Sequence, residues 1–282
     1  MNNSMQLKAL VRNLSAKKNV DAGIILRNFM HERLLERISI SEYKNNFIFK
    51  GGMLISAIVG IDSRSTMDID ANIKGQTLNE TEIASIVNNI LSLPVDDNVS
   101  FTLKSIDEIR EDADYSGYRI SIEAILDKTC QMLKMDVTTG DPIVPKETEY
   151  NFRLMFQDRA IGIMAYNLET ILAEKFETVI ARSVANTRMR DFYDIYILTF
   201  TQKFDYSNFK AALKNTVEKR GTVEQMNVAG EVIQTIAESV IMIDLWQRYR
   251  KKYSYAANVT WEIVIESLKR LHRPSITGSK VR

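Results

Sequence analysis

The sequence predicts an α+β protein: an N-terminal mixed α/β half with a central sheet, followed by a helical half. Up to residue 166, segments with period-2 alternation, such as MDIDANI and QMLKMDV, are interspersed with helical segments. Beyond residue 166 nearly every segment has helical spacing. We therefore expect an α/β domain over residues 1–166 and a helical domain over residues 167–282.

The first half is expected to open with two helices, over residues 4–15 and 20–39. His31 lies in the apolar stripe of the second helix, where the expected role is a satisfied histidine at the core edge. A further helix is predicted over residues 79–92, with Asn79 as its N-cap. The predicted strands are FIFK (followed by a short helix, GMLISAIVGI), MDIDANI, FTLKSIDEI, GYRISIEAIL and QMLKMDV, with weaker candidates over residues 152–156 and 161–166.

The second half is expected to consist of helices. Asp205 or Ser207 is a suitable N-cap for the third of them, and Asn258 for the last. Their predicted spans are residues 168–185, 190–200, 207–219, 226–240 and 259–272.

Composition excludes several classes of protein. The chain has 282 residues, 45% hydrophobic and 26% charged, which is ordinary for a globular protein. One cysteine, Cys130, permits no internal disulfide and suits a reducing compartment. The first residues lack a secretory signal, and no apolar run is long enough for a membrane helix, so we expect a cytoplasmic protein with no membrane partner. Two distant histidines, His31 and His272, disfavour a His-rich metal site or a Ser-His-Asp triad.

Charge is unevenly distributed. The net charge is +1, but residues 246–282 contain nine Lys or Arg and two Glu, so this segment carries +7 and the rest −6. The stretch RYRKKYSY mixes basic and aromatic residues, and Trp246 and Trp261 are near it. This pattern suits single-stranded RNA, through phosphate neutralisation and base stacking. The alternative is a solvated helix face. The candidate RNA-binding residues are Arg248, Arg250, Lys251 and Lys252.

Three carboxylates suggest a metal site. Asp68 and Asp70 share one face of a predicted strand, while Met67, Ile69 and Ala71 are expected to face the core. Two adjacent carboxylates repel each other unless a cation lies between them, and Mg²⁺ typically takes one or two carboxylates plus phosphate oxygens. Asp136 occupies the polar face of QMLKMDV and joins the pair if the strands are neighbours. Three carboxylates around metal suit phosphoryl or nucleotidyl transfer.

A glycine turn precedes the carboxylates. Gly51 and Gly52 lie between a predicted strand and a predicted helix, where backbone N–H groups can approach a phosphate. Arg64 follows in a loop and is suited to bidentate phosphate contact. A glycine pair or an Asp-x-Asp alone is most often unrelated to function. Their combination in one unit favours a phosphate and metal site.

The helical half offers further candidates. Lys175 lies within an apolar stripe, so it either extends along the core edge to solvent or reaches a site. Asp191 and Asp194 share a face of the next helix, and Asp191 also suits the positive end of the helix dipole. Asp194 is the better functional candidate, either holding Lys175 or Arg190 or acting as a base.

These residues resemble a known family. Lys50-Gly-Gly followed by Arg64-x-Thr66-x-Asp68-Ile-Asp70 is similar to the opening motif of AbiEii/AbiGii-type nucleotidyltransferase toxins, within the polymerase-beta-like superfamily. LETILAEKFETVIAR and RMRDFYDIYIL resemble the family's lysine-bearing helix and its R-D-x-x-D helix. The match covers residues 20–200. Met53 departs from it, because the family usually has a small residue there.

The resemblance implies a bacterial phage-defence or toxin–antitoxin enzyme. It implies transfer of a nucleotide from a nucleoside triphosphate, with GTP favoured and Mg²⁺ required, to the 3′ end of tRNA. The helical half is expected to complete the active site. A cognate antitoxin is expected genetically, although no direct contact with it is evident from the sequence.

The resemblance also assigns roles to the candidate residues. Asp136 would bind or deprotonate the acceptor hydroxyl. Two alternatives stay open: a protein hydroxyl as acceptor, and a nucleotide-binding module without catalysis. The implied nucleotide-binding residues are Gly51, Gly52, Arg64, Thr66, Lys175 and Arg190; the metal ligands are Asp68, Asp70 and Asp136; and the catalytic residues are these three acids with Lys175 and Asp194.

Overall fold

The computed structural model describes residues 4–75, 79–110 and 116–272. Its contacts divide the chain into two compact units, Met1–Asn167 and Leu168–Arg282. The first unit is mixed α/β and the second is helical. The predicted α+β class is confirmed. No described helix combines the length and apolarity that crossing a membrane requires.

The first unit contains helices and strands in alternation. Its helices are α1 (Ser4–Lys18), α2 (Ala22–Ile40), α3 (Gly51–Val59) and α4 (Glu80–Leu91). Its strands are β1 (Phe47–Lys50), β2 (Ile69–Ile73), β3 (Ser100–Arg110), β4 (Ser116–Leu126), β5 (Thr129–Thr139), β6 (Thr148–Arg153) and β7 (Ala160–Ala165). The strand predicted over residues 152–156 is wrong in position, because β6 begins and ends earlier.

The seven strands form one mixed sheet in the order β3-β4-β5-β2-β1-β7-β6. β2 runs parallel to β5, β1 runs parallel to β7, and the other pairs are antiparallel. Alternate residues of β2 and β5 are buried in a core shared with α1, α2 and α4. The opposite face of these two strands therefore carries their polar side chains.

Local capping fixes two helix starts in this unit. Asp21 accepts hydrogen bonds from the backbone N–H groups of Gly23 (2.8 Å) and Ile24 (3.2 Å). Asn79 accepts one from Glu82 N–H at 2.9 Å, so the predicted cap of α4 is confirmed. Each cap satisfies N–H groups that have no partner within the helix.

Helix α2 is buried along most of its length, including its charged residues. Arg37 forms a bidentate ion pair with Asp97 at 2.7 and 3.0 Å, and both carboxylate oxygens of Glu32 accept from Met155 N–H. Burial raises the pKa of Glu32 to about 8, although the Met155 hydrogen bond lowers it.

His31 departs from its predicted role. It is buried, and neither ring nitrogen has a hydrogen-bond partner among the described residues, so the expected satisfied histidine at the core edge is wrong. Burial, assisted by the charge of Arg27, lowers the pKa of His31 to about 3. The ring is therefore neutral in the folded protein at physiological pH.

The second unit contains seven described helices. Asp205 caps the third, accepting from Asn208 N–H at 2.8 Å, so this predicted cap is confirmed. The seven described helices are α5 (Leu168–Arg182), α6 (Met189–Thr201), α7 (Tyr206–Arg220), α8 (Val223–Asn227), α9 (Ala229–Glu238), α10 (Val240–Lys252) and α11 (Trp261–His272).

Two predictions in this unit are wrong. The single helix expected over residues 226–240 is broken at Val228 and Ser239, and α10 was not predicted. The Ser239 hydroxyl caps α10 by accepting from Met242 N–H at 3.4 Å. Asn258 does not cap α11, because the helix begins at Trp261 and the Thr260 hydroxyl accepts from Ile263 N–H at 3.4 Å.

Candidate active site

A row of four charged residues crosses the middle of the sheet. The β1–β2 register places Lys50 opposite Asp70, and the β2–β5 register places Asp70 beside Asp136. The β4–β5 register places Arg119 opposite Asp136. Paired residues of neighbouring strands share a face. The charges along the row are therefore positive at Lys50, negative at Asp70 and Asp136, and positive at Arg119. The four strands come from distant parts of the sequence.

The glycine turn lies directly against Asp70. Gly51 has a φ of +68°, and a Cβ there would overlap Asp70 Oδ2 and lie 2.7 Å from Asp70 Cγ. A residue with a Cβ at this position would meet both backbone strain and this contact. The Asp70 carboxylate therefore lies beside the first residue of α3. This places a carboxylate and the N-terminus of a helix together at the end of β1.

The other side of the turn is filled by two buried side chains. A Cβ at Gly52 would lie 2.8 Å from Thr66 Oγ1 and 3.0 Å from Arg64 Nη2. Arg64 is only 1% exposed and donates to the Ser65 carbonyl. Arg64 and Thr66 thus pack against the turn and are buried, and their expected contact with phosphate stays a prediction. Both residues help to fix the turn in position.

Asp68 lies outside the strand. β2 begins at Ile69, Asp68 is exposed, and Met67 is 47% exposed. The expectation that Met67 faces the core is wrong, because the chain enters the strand only after a bend at this residue. Ile69 and Ala71 are buried as expected.

Asp136 forms an ion pair that the sequence did not predict. Arg119 donates to both of its carboxylate oxygens, through Nε at 2.8 Å and Nη2 at 2.7 Å. These bonds and the negative charges of Asp136, Asp68 and Asp70 raise the pKa of the Arg119 guanidinium. Arg119 was missed from the sequence. Its only signal was its polar position in GYRISIEAIL, and its partner depends on strand order.

Lys50 forms a second ion pair at the other end of the row. Its ammonium bonds the carboxylate of Asp141, which also accepts from the hydroxyls of Tyr166 (3.1 Å) and Thr138 (3.2 Å). Burial alone would raise the pKa of Asp141, but the charge and hydrogen bond of Lys50, with the two hydroxyls, hold it below its usual value. Sequence reasoning missed this group as well, since residue 141 follows the strand in a loop.

The acids fit a divalent cation only in part. Within residues 4–75, 79–110 and 116–272, no group of three or more His, Cys, Asp or Glu side chains has the geometry to hold a metal ion. Both oxygens of Asp136 are engaged by Arg119. Mg²⁺ commonly takes one or two carboxylates and completes its shell with phosphate oxygens and water. Asp70 and the exposed Asp68 are suited to supply these one or two carboxylates.

The second unit holds a lysine between two aspartates. Lys175 on α5 bonds Asp191 Oδ1, and its Nζ lies 3.1 Å from Asp194 Oδ2 on α6. Asp194 is fully buried and Asp191 nearly so. Asp191 therefore does more than interact with the helix dipole, because it shares the Lys175 charge with Asp194.

Arg190, the residue before Asp191 on α6, contacts an aromatic side chain. Its Nη2 donates to the Tyr253 hydroxyl at 3.2 Å, and its guanidinium lies 5.7 Å from the centre of the Tyr253 ring. The Lys252 ammonium lies 5.5 Å from the centre of the same ring. Tyr253 and Tyr255 are stacked, with ring centres 5.3 Å apart.

The basic segment differs from the predicted RNA surface. Trp246 is fully buried and donates to the Val259 carbonyl at 3.1 Å, and Trp261 donates to the Ala237 carbonyl at 3.2 Å. Neither tryptophan can stack on a base, so that part of the prediction is wrong. Lys251 and Lys252 are exposed.

The other basic residues are partly engaged. Arg248 forms an ion pair with Asp244 at 2.7 Å, and Arg250 Nε donates to the Ala257 carbonyl at 3.0 Å. Arg273, Lys280 and Arg282, which contributed to the predicted basic end, lie outside the described residues.

Comparison with solved structures defines the class of fold. JHP933 from Helicobacter pylori has a TM-score of 0.51 at 13% identity, covering 88% of this chain and 90% of that one. A proposed nucleotidyltransferase from Helicobacter pylori gives a TM-score of 0.49 at 12% identity, covering 90% and 94%. The similarity to JHP933 is one of fold. No curated protein matches the chain.

The family follows from the sequence. Residues 33–267 match the model described as "Nucleotidyl transferase AbiEii toxin, Type IV TA system". This match spans both units and most of the chain, so the protein belongs to the AbiEii nucleotidyltransferase toxin family. The resemblance carried by the glycine turn, the two aspartates and the lysine helix is thereby confirmed.

Proposed function

We propose that this protein transfers a nucleotide from a nucleoside triphosphate, with GTP favoured, to the 3′ end of a tRNA, and that this modification arrests growth. The observation that carries the proposal is the contact between Gly51 and the Asp70 carboxylate, beside Asp136. It brings a turn suited to phosphate next to acids suited to a metal. The choice of GTP and tRNA rests on the family.

The residues of the first unit would act mainly by positioning. Backbone N–H groups at the start of α3 would bind the triphosphate, because the helix N-terminus favours negative charge. Asp68 and Asp70 would hold Mg²⁺, which when bound supplies positive charge to the phosphate oxygens. Asp136 would orient or deprotonate the acceptor hydroxyl, whose oxygen attacks the α-phosphorus and releases pyrophosphate.

The roles of the helical unit stay predictions. Lys175 is proposed to contact the triphosphate, and Asp194 to hold Lys175 for that contact, since their side chains are 3.1 Å apart. Arg190 is proposed to assist in nucleotide binding. Completion of the active site by residues 167–282 is likewise a proposal, as is neutralisation by a cognate antitoxin. A cytoplasmic location is part of the proposal, because the proposed substrates, GTP and tRNA, are found there.

The proposal is tested by incubating the purified full chain with Mg²⁺, each of the four α-labelled nucleoside triphosphates in turn, and total bacterial RNA. Label in a tRNA-sized band is expected with wild type and not with Asp68→Asn. Asp158→Asn is the matched control, because Asp158 is also exposed but lies in the loop after β6. It is expected to transfer label at the wild-type rate.

The other outcomes separate the competing functions. Label in protein in place of RNA would indicate a protein-modifying enzyme. Nucleotide binding without pyrophosphate release would indicate a binding module. Transfer by Asp68→Asn at the wild-type rate would refute the role of the acidic pair.

A further inference from the structure

Arg119 makes an unusually complete contact with one candidate metal ligand. Its Nε and Nη2 bond the two oxygens of Asp136 separately, at 2.8 and 2.7 Å. The Arg119 side chain is 43% exposed and that of Asp136 22% exposed. A planar guanidinium and a carboxylate in this fork geometry form a specific pair that a lysine does not reproduce.

The charge of Arg119 serves more than one acid. Asp68 and Asp70 also interact electrostatically with it, in addition to Asp136. Asp70 and Asp136 are register partners on adjacent parallel strands, so their carboxylates repel each other when no cation is present. Arg119 offsets that repulsion from the β4 side, and Lys50, the register partner of Asp70, adds positive charge on the β1 side.

A metal ion and Arg119 need the same oxygens. Arg119 holds a positive charge against both Asp136 oxygens and takes one acceptor position on each, so it competes with a cation that Asp136 and Asp70 would share. We infer that Arg119 is the resident counter-cation of the acidic site: it occupies the Asp136 carboxylate in the metal-free protein and releases it when a divalent cation binds. Arg119 is thus a positioning residue that acts through Asp136.

This inference rests on the proposed function, because it assumes that Asp68 and Asp70 hold a metal, and it adds Asp136 as a ligand of that metal. It adds that the fold of the metal-free protein does not depend on a bound metal ion, since Arg119 already supplies positive charge to the acids. It also adds that metal affinity is set partly by an arginine that is not a ligand. Removing the guanidinium is therefore expected to tighten metal binding, whereas loss of an ordinary structural ion pair would leave it unchanged or weaken it.

The test measures Mn²⁺ binding to the purified full chain by the EPR signal of the free ion. Arg119→Gln is expected to lower the apparent Kd for Mn²⁺ about tenfold, which corresponds to about 1.4 kcal/mol. Lys134→Gln is the matched control. Lys134 is an exposed cation two residues before Asp136 on the same face of β5, and it is expected to change the Kd less than twofold. Circular dichroism verifies that each variant is folded.

A double variant tests whether the effect passes through Asp136. In Asp136→Asn the Arg119→Gln change is expected to have no further effect on Mn²⁺ affinity. Unchanged or weaker binding by Arg119→Gln would overturn the inference, and equal tightening by Lys134→Gln would reduce it to general electrostatics and also overturn it. If Asp70→Asn leaves Mn²⁺ binding intact, the proposed metal site itself fails. If Asp70→Asn abolishes binding while Arg119→Gln changes nothing, only the role of Arg119 fails.

Discussion

Replacing Gly51 with alanine separates the chemistry of the turn from its contribution to stability. The new Cβ would overlap Asp70 Oδ2 and lie 2.7 Å from Cγ and 2.9 Å from Cβ of Asp70. Asp70 is only partly buried, so its carboxylate can swing away. We expect the fold to survive this change, with the Asp70 carboxylate displaced from the turn.

Two magnitudes follow. Alanine at a φ of +68° costs roughly 1–2 kcal/mol of unfolding free energy. Displacing a reacting or metal-binding group by about 1 Å costs roughly 100-fold in rate. We therefore expect a modest loss of stability together with a loss of transfer of about two orders of magnitude.

Gly221→Ala is the matched control. Gly221 has a φ of +64°, and no atom lies within 4 Å of the position of its Cβ. It carries the same backbone cost without the contact to a candidate site. Urea unfolding and labelled-nucleotide transfer are measured on both variants. The two are expected to lose similar stability, and only Gly51→Ala is expected to lose transfer. Equal transfer by the two folded variants would refute the assignment of the turn.

Three further predictions concern stability, pH and RNA binding. Lys175→Ala removes the ammonium that pairs with Asp191 and the fully buried Asp194, and it is expected to lower the free energy of unfolding in urea by roughly 3–5 kcal/mol. Adding Asp194→Asn should recover part of this loss. An unchanged free energy of unfolding in Lys175→Ala would contradict the pairing. His31, with its pKa lowered from 6.5 to about 3, makes the folded protein lose stability as pH falls below 6.5, by about 2 kcal/mol at pH 5. His31→Leu should remove that loss when urea unfolding is compared at pH 7 and pH 5, and an identical pH dependence would exclude His31 as its cause. Trp246→Phe should reduce stability by about 1 kcal/mol, through loss of its bond to Val259, without changing RNA affinity; weaker RNA binding by the folded variant in filter assays would show that the tryptophan reaches the RNA.

Features set by neighbouring residues could be predicted from the sequence. Alternation in QMLKMDV predicted that Leu133, Met135 and Val137 face the core, and all three are buried. The caps at Asn79 and Asp205 depend on a side chain and a backbone group three residues later, so their signals are local. The glycine turn was recognisable for the same reason.

Features set by distant residues could not be predicted. The neighbour of β2 is β5 and not the next strand in the chain, so the pairing of Asp70 with Asp136 was only conditional. Arg119 had no local signal for its bond to Asp136. Helix α10 was missed because it begins with two exposed apolar residues, Val240 and Ile241, which obscure the amphipathic pattern.

The order of the strands has a consequence for how the toxin matures. Asp70 and Asp136 become neighbours only when β5 pairs with β2, and β5 follows β3 and β4 in the chain. Such non-local pairing comes late in folding, because the intervening loop must close before the contacts can form. A nascent or partly folded chain therefore has no assembled acidic site.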